Sequence, residues 1–586
     1  MKQFLVVLAV LVCVTRGVAQ EGVVAVKTRA ILVDKDLNPK PVPKLVMNLQ
    51  AAGDPTKAQS HSLTTGFDGV AEAGLRKVKH IIIVMQENHS FDNYFGALAF
   101  VPGGPYHAPD GIDHDGHGAC QEGDHSCVDG LSCMVDASGD LHCFNSNIDD
   151  SGNSVFAFHD SRRCVPPDLD HEWLGTHKEA NFLHSNDALG DFRADGFVRQ
   201  NDLTEQLDNG VESPTEDQTM NFYNQEEIPF YYDLAQKFAI SDRYFSSLLG
   251  PTFPNRSYLL AATSFGHLTT NDSLPPPGGY KPVTGTIFDL LDKHNVTWAD
   301  YFSDVPQGAS FRLFSATGAD PHFLPLQLFL AQAAGVPGVG PLPEVAFVDP
   351  NFGIFGIQFE NDEHPPTDIQ RGQAFVLQVV AAVRNGPSWK DSIIFIVYDE
   401  HGGFFDHVRP PRAAQGHART PDGISPGQCA DLSNVPASLK PGGGAECSFN
   451  FLSVSDTSVK DAEALCPALA ADPTGPFPEQ CASFDQLGMR VPFVAVSPFS
   501  KPHYVSHTVG DHTSLLALIE KRFLSLYESE TNGDGDDNGR PHLTRRDHHA
   551  NTLEDLFDFE HSPSLDTAIV PAAAPAKDCT PVPVPH

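Results

Sequence analysis

Basic residues are scarce in this sequence relative to acidic ones, and the shortage excludes a large class of function. The 586 residues include 38 Lys and Arg against 75 Asp and Glu, a formal net charge of −37. A protein that follows a nucleic-acid backbone needs a basic stripe to pair with the phosphates, so we expect no nucleic-acid partner. The negative charge also disfavours anionic membranes, and no basic membrane-binding patch is recognisable. We therefore expect at most transient contact with a membrane surface.

Long apolar runs are missing too. Beyond the N-terminus no apolar stretch reaches about 18 residues, so no membrane span is expected. At the N-terminus, Lys2 precedes an apolar run over 4–14, and Gly17 and Ala19 place small residues before a cleavage point. That order is typical of a signal peptide. We predict a signal peptide over 1–19 and a secreted, extracellular protein.

Cys-x2-Cys pairs, a common mark of structural zinc sites, are absent. Of eleven cysteines, Cys13 lies in the predicted signal peptide, which leaves ten for up to five disulfides. Most of them fall near 120–164 and 429–481, two segments rich in Gly, Asp and Ser. We expect these segments to be loop insertions that disulfides stabilise, because they cannot bury a core alone.

Glycosylation sequons occur at four asparagines: Asn88, Asn255, Asn271 and Asn295. The pattern Asn-x-Ser/Thr in a secreted chain predicts a modified surface loop. We expect modification at the last three and a different role for Asn88.

What the sequence does contain is a series of short, buried-strand patterns rich in Ile and Val. They cover 80–85, 344–348, 392–398 and 491–496. Continuous apolar runs of this length are typical of strands in a parallel sheet covered on both faces. Helical periodicity lies between them, at 284–294, 371–384 and 514–523. The alternation predicts an α/β fold with a doubly wound, mostly parallel sheet sandwiched by helices.

The chain divides into four regions around this pattern. The signal peptide is followed by an N-terminal extension over 20–76, which has no clear period. One large catalytic domain is predicted over 77–527, and it contains both insertions. A C-terminal tail over 528–586 starts as a polar loop and ends in Pro- and Ala-rich residues that we expect to be flexible.

Polar residues follow three of the predicted strands directly. In an open α/β sheet, ligands bind outside the carboxyl ends of the strands. Carboxylate and amide oxygens gathered there suggest a divalent cation such as Mg²⁺, Ca²⁺ or Mn²⁺, and nearby histidine also admits Zn²⁺ or Fe. For one such strand end, ordinary loop polarity is the better explanation. For two strand ends that both carry acid and histidine, a metal site is the better one. The residues concerned are Glu87 and Asn88, Asp349, and Asp399, Glu400 and His401.

A turn over 250–256 precedes a segment, 257–263, that has helical character. Thr252 is therefore expected at or just before a helix N-terminus, where free N–H groups and the helix dipole favour an anion. An ordinary Thr cap is an equally good interpretation of the local sequence. Arg256 either pairs with the anion or lies on the surface.

Three histidines lie in suggestive contexts: His171, His177 and His364. A single histidine is more often a hydrogen-bonded structural residue than a catalyst. Their interpretation depends on the motifs around them.

Two long motifs carry a resemblance to a known family. HIIIVMQENHSFDNYFG at 80–96 and IVYDEHGGFFDHV at 396–408 resemble motifs of the phosphoesterase family, which holds bacterial phospholipases C and acid phosphatases. That family belongs to the alkaline phosphatase-like superfamily. Shorter segments at 171–177, 250–256, 361–366 and 491–499 look like its further motifs, so the resemblance covers roughly 78–525.

The resemblance implies a role for each matching residue. Glu87, Asn88, Asp399 and Glu400 match metal ligands, and Thr252 matches a nucleophile that also contacts the metal. His364 matches a histidine that faces the transferred phosphoryl group, and His171 is a less certain match for another one. Either histidine would protonate the leaving oxygen.

The activity implied is a metal-dependent hydrolysis of phosphoric esters through a phosphothreonine intermediate. Motif spelling favours phospholipase C-type cleavage of glycerophospholipids, with an acid phosphatase acting on phosphomonoesters as the alternative. A sulfatase would need Cys or Ser where Thr252 stands, because Thr cannot give the formyl group. A non-catalytic binding protein would need a broken site, and every matched residue is intact.

Overall fold

The structure is a computed structural model. It describes residues 74–110, 120–149, 151–164, 168–181, 194–201, 216–270, 275–276, 278–312, 314–315, 318–414, 421–424, 429–433, 484–525, 540–565 and 569–572, with four short strands before residue 41. The chain divides into two units, residues 1–67 and 68–586.

In the first unit, Val10–Leu11 pairs antiparallel with Arg29–Ala30, and Leu32–Val33 pairs antiparallel with Pro39–Lys40. The predicted signal peptide, 1–19, and the N-terminal extension, 20–76, otherwise lie almost entirely outside the described residues and stay predictions.

The second unit is built around an eight-stranded sheet. Its strands are β1 (His80–Gln86), β2 (Ala239–Ser241), β3 (Trp298–Phe302), β4 (Phe323–Pro325), β5 (Val345–Val348), β6 (Ser392–Tyr398), β7 (Phe493–Val496) and β8 (Val505–Ser506). They lie in the order β4-β3-β5-β1-β6-β7-β2-β8. The four strands predicted from apolar runs are confirmed, and they are the four central ones. The others are short or carry polar residues such as Asp300, so no apolar run marks them.

Strand β7 runs against its neighbours. Its pairings with β6 and β2 are antiparallel, whereas the other pairings of the sheet are parallel. The mostly parallel sheet is therefore confirmed, but the expected strand at 491–496 has the opposite direction. An apolar run cannot reveal direction, because strands buried on both faces look alike either way. The reversal places Arg490, just before β7, at the sheet edge where β1 and β6 end.

The sheet is covered on both faces. Residues 81–86 of β1 are all fully buried, and neighbouring side chains of a strand point to opposite faces. The helices are α1 (Phe91–Phe95), α2 (Trp173–Glu179), α3 (Pro229–Lys237), α4 (Thr252–Ala261), α5 (Ile287–Lys293), α6 (Ala309–Arg312), α7 (Leu326–Ala333), α8 (Ile369–Arg384), α9 (His512–Leu524) and α10 (Arg545–His549). Helix α8 packs against α3 and α7, and α9 packs against α4 and α10, as expected for two covering layers.

The three predicted helices, now α5, α8 and α9, are confirmed, and capping explains where they begin. Asp368 accepts from the N–H of Gln370 and starts α8, and Asp511 accepts from the N–H of Thr513 and starts α9. A membrane-crossing helix would have to be longer and more apolar than any helix among the described residues.

The insertion at 120–164 contains regular structure as well as loops. Hairpins form from Cys133–Val135 with Leu141–Cys143 and from Ser146–Ile148 with Ser154–Phe156. Disulfides join Cys120 to Cys127 and Cys133 to Cys143, and Cys164 and Cys429 are also disulfide-bonded. The hairpins share a small hydrophobic cluster with residues of the main domain such as Phe197 and Met489. The sequence predicts loops here because the apolar residues are too few to show a period. The insertion near 429–481 lies mostly outside the described residues.

The C-terminal stretch is only partly a tail. Leu543, Leu553, Leu556, Phe557 and Phe559 are buried in the main hydrophobic core. The prediction of a tail over 528–586 is wrong for these residues, which are spread over short segments without a helical or strand period. The Pro- and Ala-rich end beyond residue 572 lies outside the described residues.

Candidate active site

Strands β1 and β6 bring the two acidic segments together. They are parallel neighbours with Gln86 opposite Tyr398, so the residues that follow each strand are also adjacent. The backbone N–H of Asn88 donates to Oδ1 of Asp399 at 3.3 Å. Glu400 follows Asp399 directly. The structure therefore brings the four residues predicted as metal ligands to one edge of the sheet.

Gly402 allows the two segments to lie this close. A Cβ at Gly402 would come within 2.2 Å of the carbonyl oxygen of Asn88, and its φ of +62° is in the left-handed region. Both constraints require glycine. Asn88 itself has φ +65°, a conformation that asparagine tolerates better than most residues.

Helix α4 supplies the third part of the site. Its Arg256 is buried, with Nη2 at 3.0 Å from Oε1 of Glu87 and Nε at 3.1 Å from Oδ2 of Asp399. Arg256 is thus neither a surface residue nor free for an anion, because it is held by these carboxylates. Thr252 precedes it by one helical turn and faces the same way. The helix begins at Thr252 with Pro251 at the cap position, so Thr252 is not the capping residue.

The acidic group contains polar atoms that nothing in the described residues satisfies. The side-chain oxygen and nitrogen of Asn88 and Oε1 of Glu400 are buried and have no hydrogen-bond partner there. Buried polar atoms are normally paired, so each unpaired one calls for an explanation. Carboxylate and amide oxygens are the donors preferred by hard divalent cations. The residues present therefore fit a metal ion.

Among Glu87, Asp399, Glu400 and Arg256, the carboxylates outnumber the cation. Burial raises the pKa of Asp399 to about 8, and Glu87 and Glu400 add to the rise while Arg256 opposes it. Burial also acts to raise the pKa of Glu400, but neighbouring His171 and His401 outweigh it and lower that pKa. Asp399 would lose its proton more readily beside a cation.

His171 and His364 meet in this structure, as the resemblance implied. Their rings are 6.2 Å apart, and Nε2 of His171 lies 4.0 Å from Oε1 of Glu400. Sequence reasoning missed Asp168, which lies 3.7 Å from a nitrogen of each ring. Ligand atoms of these three residues all lie within 4.8 Å of one another, so they also form a group able to hold an ion. Burial acts to lower the pKa of each histidine, but the surrounding carboxylates outweigh it and raise both pKa values.

His177 is not part of this group. Its Nδ1 donates to the carbonyl of Trp173 at 2.6 Å within α2, and its ring packs on the Trp173 indole. Burial lowers the pKa of His177 to about 4, so it is neutral. It is a structural histidine.

Asp349 is linked to the site only indirectly. Its carboxylate accepts from the backbone and side-chain N–H groups of Gln307, and Gln307 in turn accepts from Arg256 at 3.5 Å. Asp349 therefore acts on Glu87 and Asp399 only through Gln307 and Arg256.

A buried carboxylate beneath the site was not identified from the sequence. Glu363 accepts hydrogen bonds from the hydroxyls of Tyr94, Tyr231 and Tyr398 at 2.5–2.6 Å. Burial raises the pKa of Glu363 to about 7. Tyr398 directly precedes Asp399 and Glu363 directly precedes His364, so this cluster fixes both segments. Three tyrosines that are distant in sequence gave no local signal of it.

Burial also shows which of the four asparagine sequons are accessible for glycosylation. Asn88 and Asn255 are fully buried. The side chain of Asn255 accepts from Ser247 and Leu248 and donates to Gly250, so its predicted glycosylation is wrong. Asn295 is exposed and Asn271 lies outside the described residues, so glycosylation there stays a prediction.

A second buried charged cluster lies beside the site, and we call it the Arg490 cluster. Arg490 pairs with Asp92 and Asp406, each at 2.9 Å. His407 pairs with Asp92 at 2.6 Å and with Asp129 at 3.2 Å. Burial acts to lower the pKa of His407, but these carboxylates raise it to about 10. Each carboxylate has a cationic partner here.

Comparisons with known proteins show the family to which the chain belongs. The model of the Phosphoesterase family matches residues 78–524. Non-specific phospholipase C1 of Arabidopsis thaliana is 27% identical over 498 residues, which cover 83% of this chain and 72% of that protein. Phospholipase C B of Mycobacterium tuberculosis is 27% identical over 506 residues, which cover 80% of this chain and 78% of that protein. Human ectonucleotide pyrophosphatase/phosphodiesterase 5 matches with a TM-score of 0.24 and 9% identity over 50% of this chain and 88% of that one, a likeness too weak to carry an argument.

Proposed function

The chain belongs to the phosphoesterase family and is a hydrolase of phosphoester bonds, and from this premise we propose that it is a secreted, metal-dependent phospholipase C that cleaves glycerophospholipids. The observation that carries the proposal is the meeting of two acidic strand ends, with unpaired ligand atoms on Asn88 and Glu400, opposite the helix that begins at Thr252. The names of the relatives support the choice of phospholipid. We extend the proposal to an alkaline phosphatase-like fold.

The metal would be held by Glu87, Asn88, Asp399 and Glu400, with Thr252 beside it. When bound, a divalent cation neutralises phosphate charge and lowers the pKa of a nearby hydroxyl. Its identity among Ca²⁺, Mg²⁺, Mn²⁺, Zn²⁺ and Fe is left open by a donor set of this kind.

Thr252 is the proposed nucleophile. Its hydroxyl gives up its proton to solvent, Oγ1 attacks phosphorus in line, a new P–O bond forms to Thr252, and the bond to the glycerol oxygen breaks. The N–H groups of the first turn of α4 stabilise the negative charge on the phosphoryl oxygens. Water then cleaves the phosphothreonine and releases the phosphorylated head group.

His364 is the proposed general acid. Its Nδ1 donates to the carbonyl of Pro365 at 2.7 Å, so Nε2 is the nitrogen available to a substrate. The surrounding carboxylates outweigh burial and raise the pKa of His364, which favours the protonated ring. Transfer of that proton to the departing glycerol oxygen gives diacylglycerol. His171 is buried against Glu400 and has the role of orienting that carboxylate.

One assay tests the proposal against the acid phosphatase alternative. Purified protein is incubated with phosphatidylcholine, phosphatidylglycerol and p-nitrophenyl phosphate over pH 4–8, with and without chelator. We expect diacylglycerol release that the chelator abolishes. Turnover of the monoester alone, best in acid, would favour an acid phosphatase, and turnover unaffected by exhaustive chelation would contradict the metal.

A further inference from the structure

A closed apolar loop stands at the edge of the sheet that carries the site. It covers residues 351–361, between the end of β5 and His364. Its tip, residues 354–359, reads Ile-Phe-Gly-Ile-Gln-Phe and has no charged side chain. Ile354, Phe355 and Phe359 are 57%, 43% and 61% exposed. Single exposed apolar residues are ordinary, but three large ones within six residues form a patch that marks an interaction surface.

The loop has a defined shape. Its two ends bond to each other, since Asn351 N–H donates to Oδ1 of Asn361 at 2.6 Å and Asn361 N–H donates to the carbonyl of Asn351 at 2.9 Å. Asp304 accepts from the N–H groups of Phe352 and Ile354 at 3.2 and 3.1 Å. The apolar side chains are therefore held outward by a fixed backbone.

The loop is also continuous with the candidate site. The Phe352 ring lies 4.9 Å from the guanidinium of Arg256, which holds Glu87 and Asp399. Glu360, at the other end, accepts from the hydroxyl of Thr367 at 2.7 Å, three residues beyond His364. A surface that covers the tip must therefore lie next to the mouth of the site.

The chemistry of a phospholipid substrate specifies such a surface. Its phosphate has to reach the acidic residues while its acyl chains stay in an apolar layer, so residues beside the site face that layer. Uncharged apolar and aromatic side chains are those that enter the boundary between head groups and acyl chains. The net charge of −37 repels an anionic surface and leaves a zwitterionic one.

We propose that the tip of loop 351–361 inserts Ile354, Phe355 and Phe359 into a zwitterionic phospholipid surface and so docks the site on its substrate. This inference rests on the proposed phospholipase C function. The contact is shallow and reversible, because few side chains take part.

The test separates docking from catalysis. The full chain and its F355S/F359S double variant are mixed with phosphatidylcholine vesicles, and the bound fraction is measured by flotation. Loss of two aromatic side chains that insert into the lipid should lower partitioning at least ~10-fold. Turnover of a short-chain phosphatidylcholine kept monomeric in solution should stay within about twofold, because the loop does not contact the reacting atoms.

Val336→Ser is the matched control. Val336 is 46% exposed and follows α7 in the connection that enters β5 from the opposite edge of the sheet, so its replacement should change neither measurement. Vesicles containing phosphatidylglycerol should bind the wild type less well than pure phosphatidylcholine does.

Several outcomes would overturn the proposal. The proposal fails if the double variant binds vesicles as well as the wild type does. It also fails if the variant loses as much turnover on the monomeric lipid as it loses partitioning into vesicles. If the wild type forms dimers by light scattering and the double variant does not, the patch serves a second copy of the chain instead. If the wild type binds vesicles through the loop but hydrolyses neither lipid, the proposed function fails while the docking surface stands.

Discussion

The candidate site and the Arg490 cluster lie at the same edge of the sheet and are built from the same two motifs, yet they differ in how completely their polar atoms are paired. In the motif at 80–96, Glu87 and Asn88 belong to the site and Asp92 to the cluster. In the motif at 396–408, Asp399 and Glu400 belong to the site and Asp406 and His407 to the cluster.

The cluster pairs its carboxylates with cations, as a structural network should. Asp92, Asp406 and Asp129 face Arg490, His407 and Arg243. The site leaves the side-chain oxygen and nitrogen of Asn88 and Oε1 of Glu400 without a hydrogen-bond partner among the described residues. Long motifs thus combine residues that bind with residues that hold the binding segments in place, and only the pairing of their atoms separates the two.

Replacing Thr252 should have the largest effect on the site and none on the cluster. Thr252→Ala removes the proposed nucleophile, so turnover should fall at least ~10⁴-fold while the metal and the fold are retained. Thr252→Ser keeps a hydroxyl and should keep most of the activity. Turnover, bound metal and thermal unfolding are measured on the same preparations. Substantial activity in Thr252→Ala would remove the residue from the mechanism.

Replacing Arg490 should affect the fold instead. Arg490→Met leaves Asp92 and Asp406 buried without their main cation, which should lower the free energy of unfolding by about 3–5 kcal/mol. Arg243→Met, at the partly exposed margin of the cluster, should cost clearly less. Chemical denaturation measures both variants. If Arg490→Met is as stable as the wild type but inactive, the cluster belongs to the site.

His364 should act on the leaving group rather than on metal binding. His364→Asn should slow phospholipid hydrolysis ~10²–10³-fold, because the glycerol oxygen needs a proton to leave. A p-nitrophenyl diester needs no such proton and should lose much less. His177→Gln, which alters the structural histidine of α2, is the control and should be nearly unchanged. Equal losses on both substrates in His364→Asn would show a role other than general acid.

Metal removal should lower the stability of variants in the Arg490 cluster as it does that of the wild type, but not the stability of a variant that lacks a site ligand. A chelator should lower the free energy of unfolding of the metal-loaded protein by about 2–3 kcal/mol when the metal is about a hundredfold above its Kd. Arg243→Met should show the same shift. Asp399→Asn should show almost none, because it lacks a ligand. A shift of full size in Asp399→Asn would place the metal elsewhere, with Asp168, His171 and His364 as the alternative group.

The smallest expected effect is a gain. In the metal-free protein the raised pKa of Asp399 means that its ionisation opposes folding increasingly as pH rises from about 4 towards 8. Asn cannot ionise, so Asp399→Asn should gain stability relative to the wild type as the pH rises from about 4 towards 8, and the two should differ least near pH 4. Urea unfolding of both proteins without metal checks this. A loss of stability at pH 8 would mean that the pairing with Arg256 outweighs the acid excess.

Local sequence carried much of the fold and part of the site. The central strands could be predicted from the sequence because burial on both faces requires unbroken apolar runs, as in β1 and β6. Residues directly after those strands, such as Glu87 and Asp399, could be placed at the sheet edge for the same reason. Strands outside the centre of the sheet, such as β2, have only three residues and gave no comparable signal.

The sequence by itself determined which segments carry chemistry: the strand ends, the Thr252 turn and the acid excess are all written in consecutive residues. The tertiary structure alone decided which of these groups meet. Asp168 joins His171 and His364, three distant tyrosines bind Glu363, and Arg490 collects acids from both motifs only because the reversed β7 delivers it to their edge. Pairing of charges across hundreds of residues depends on chain direction and close packing, and neither quantity is encoded in a local pattern.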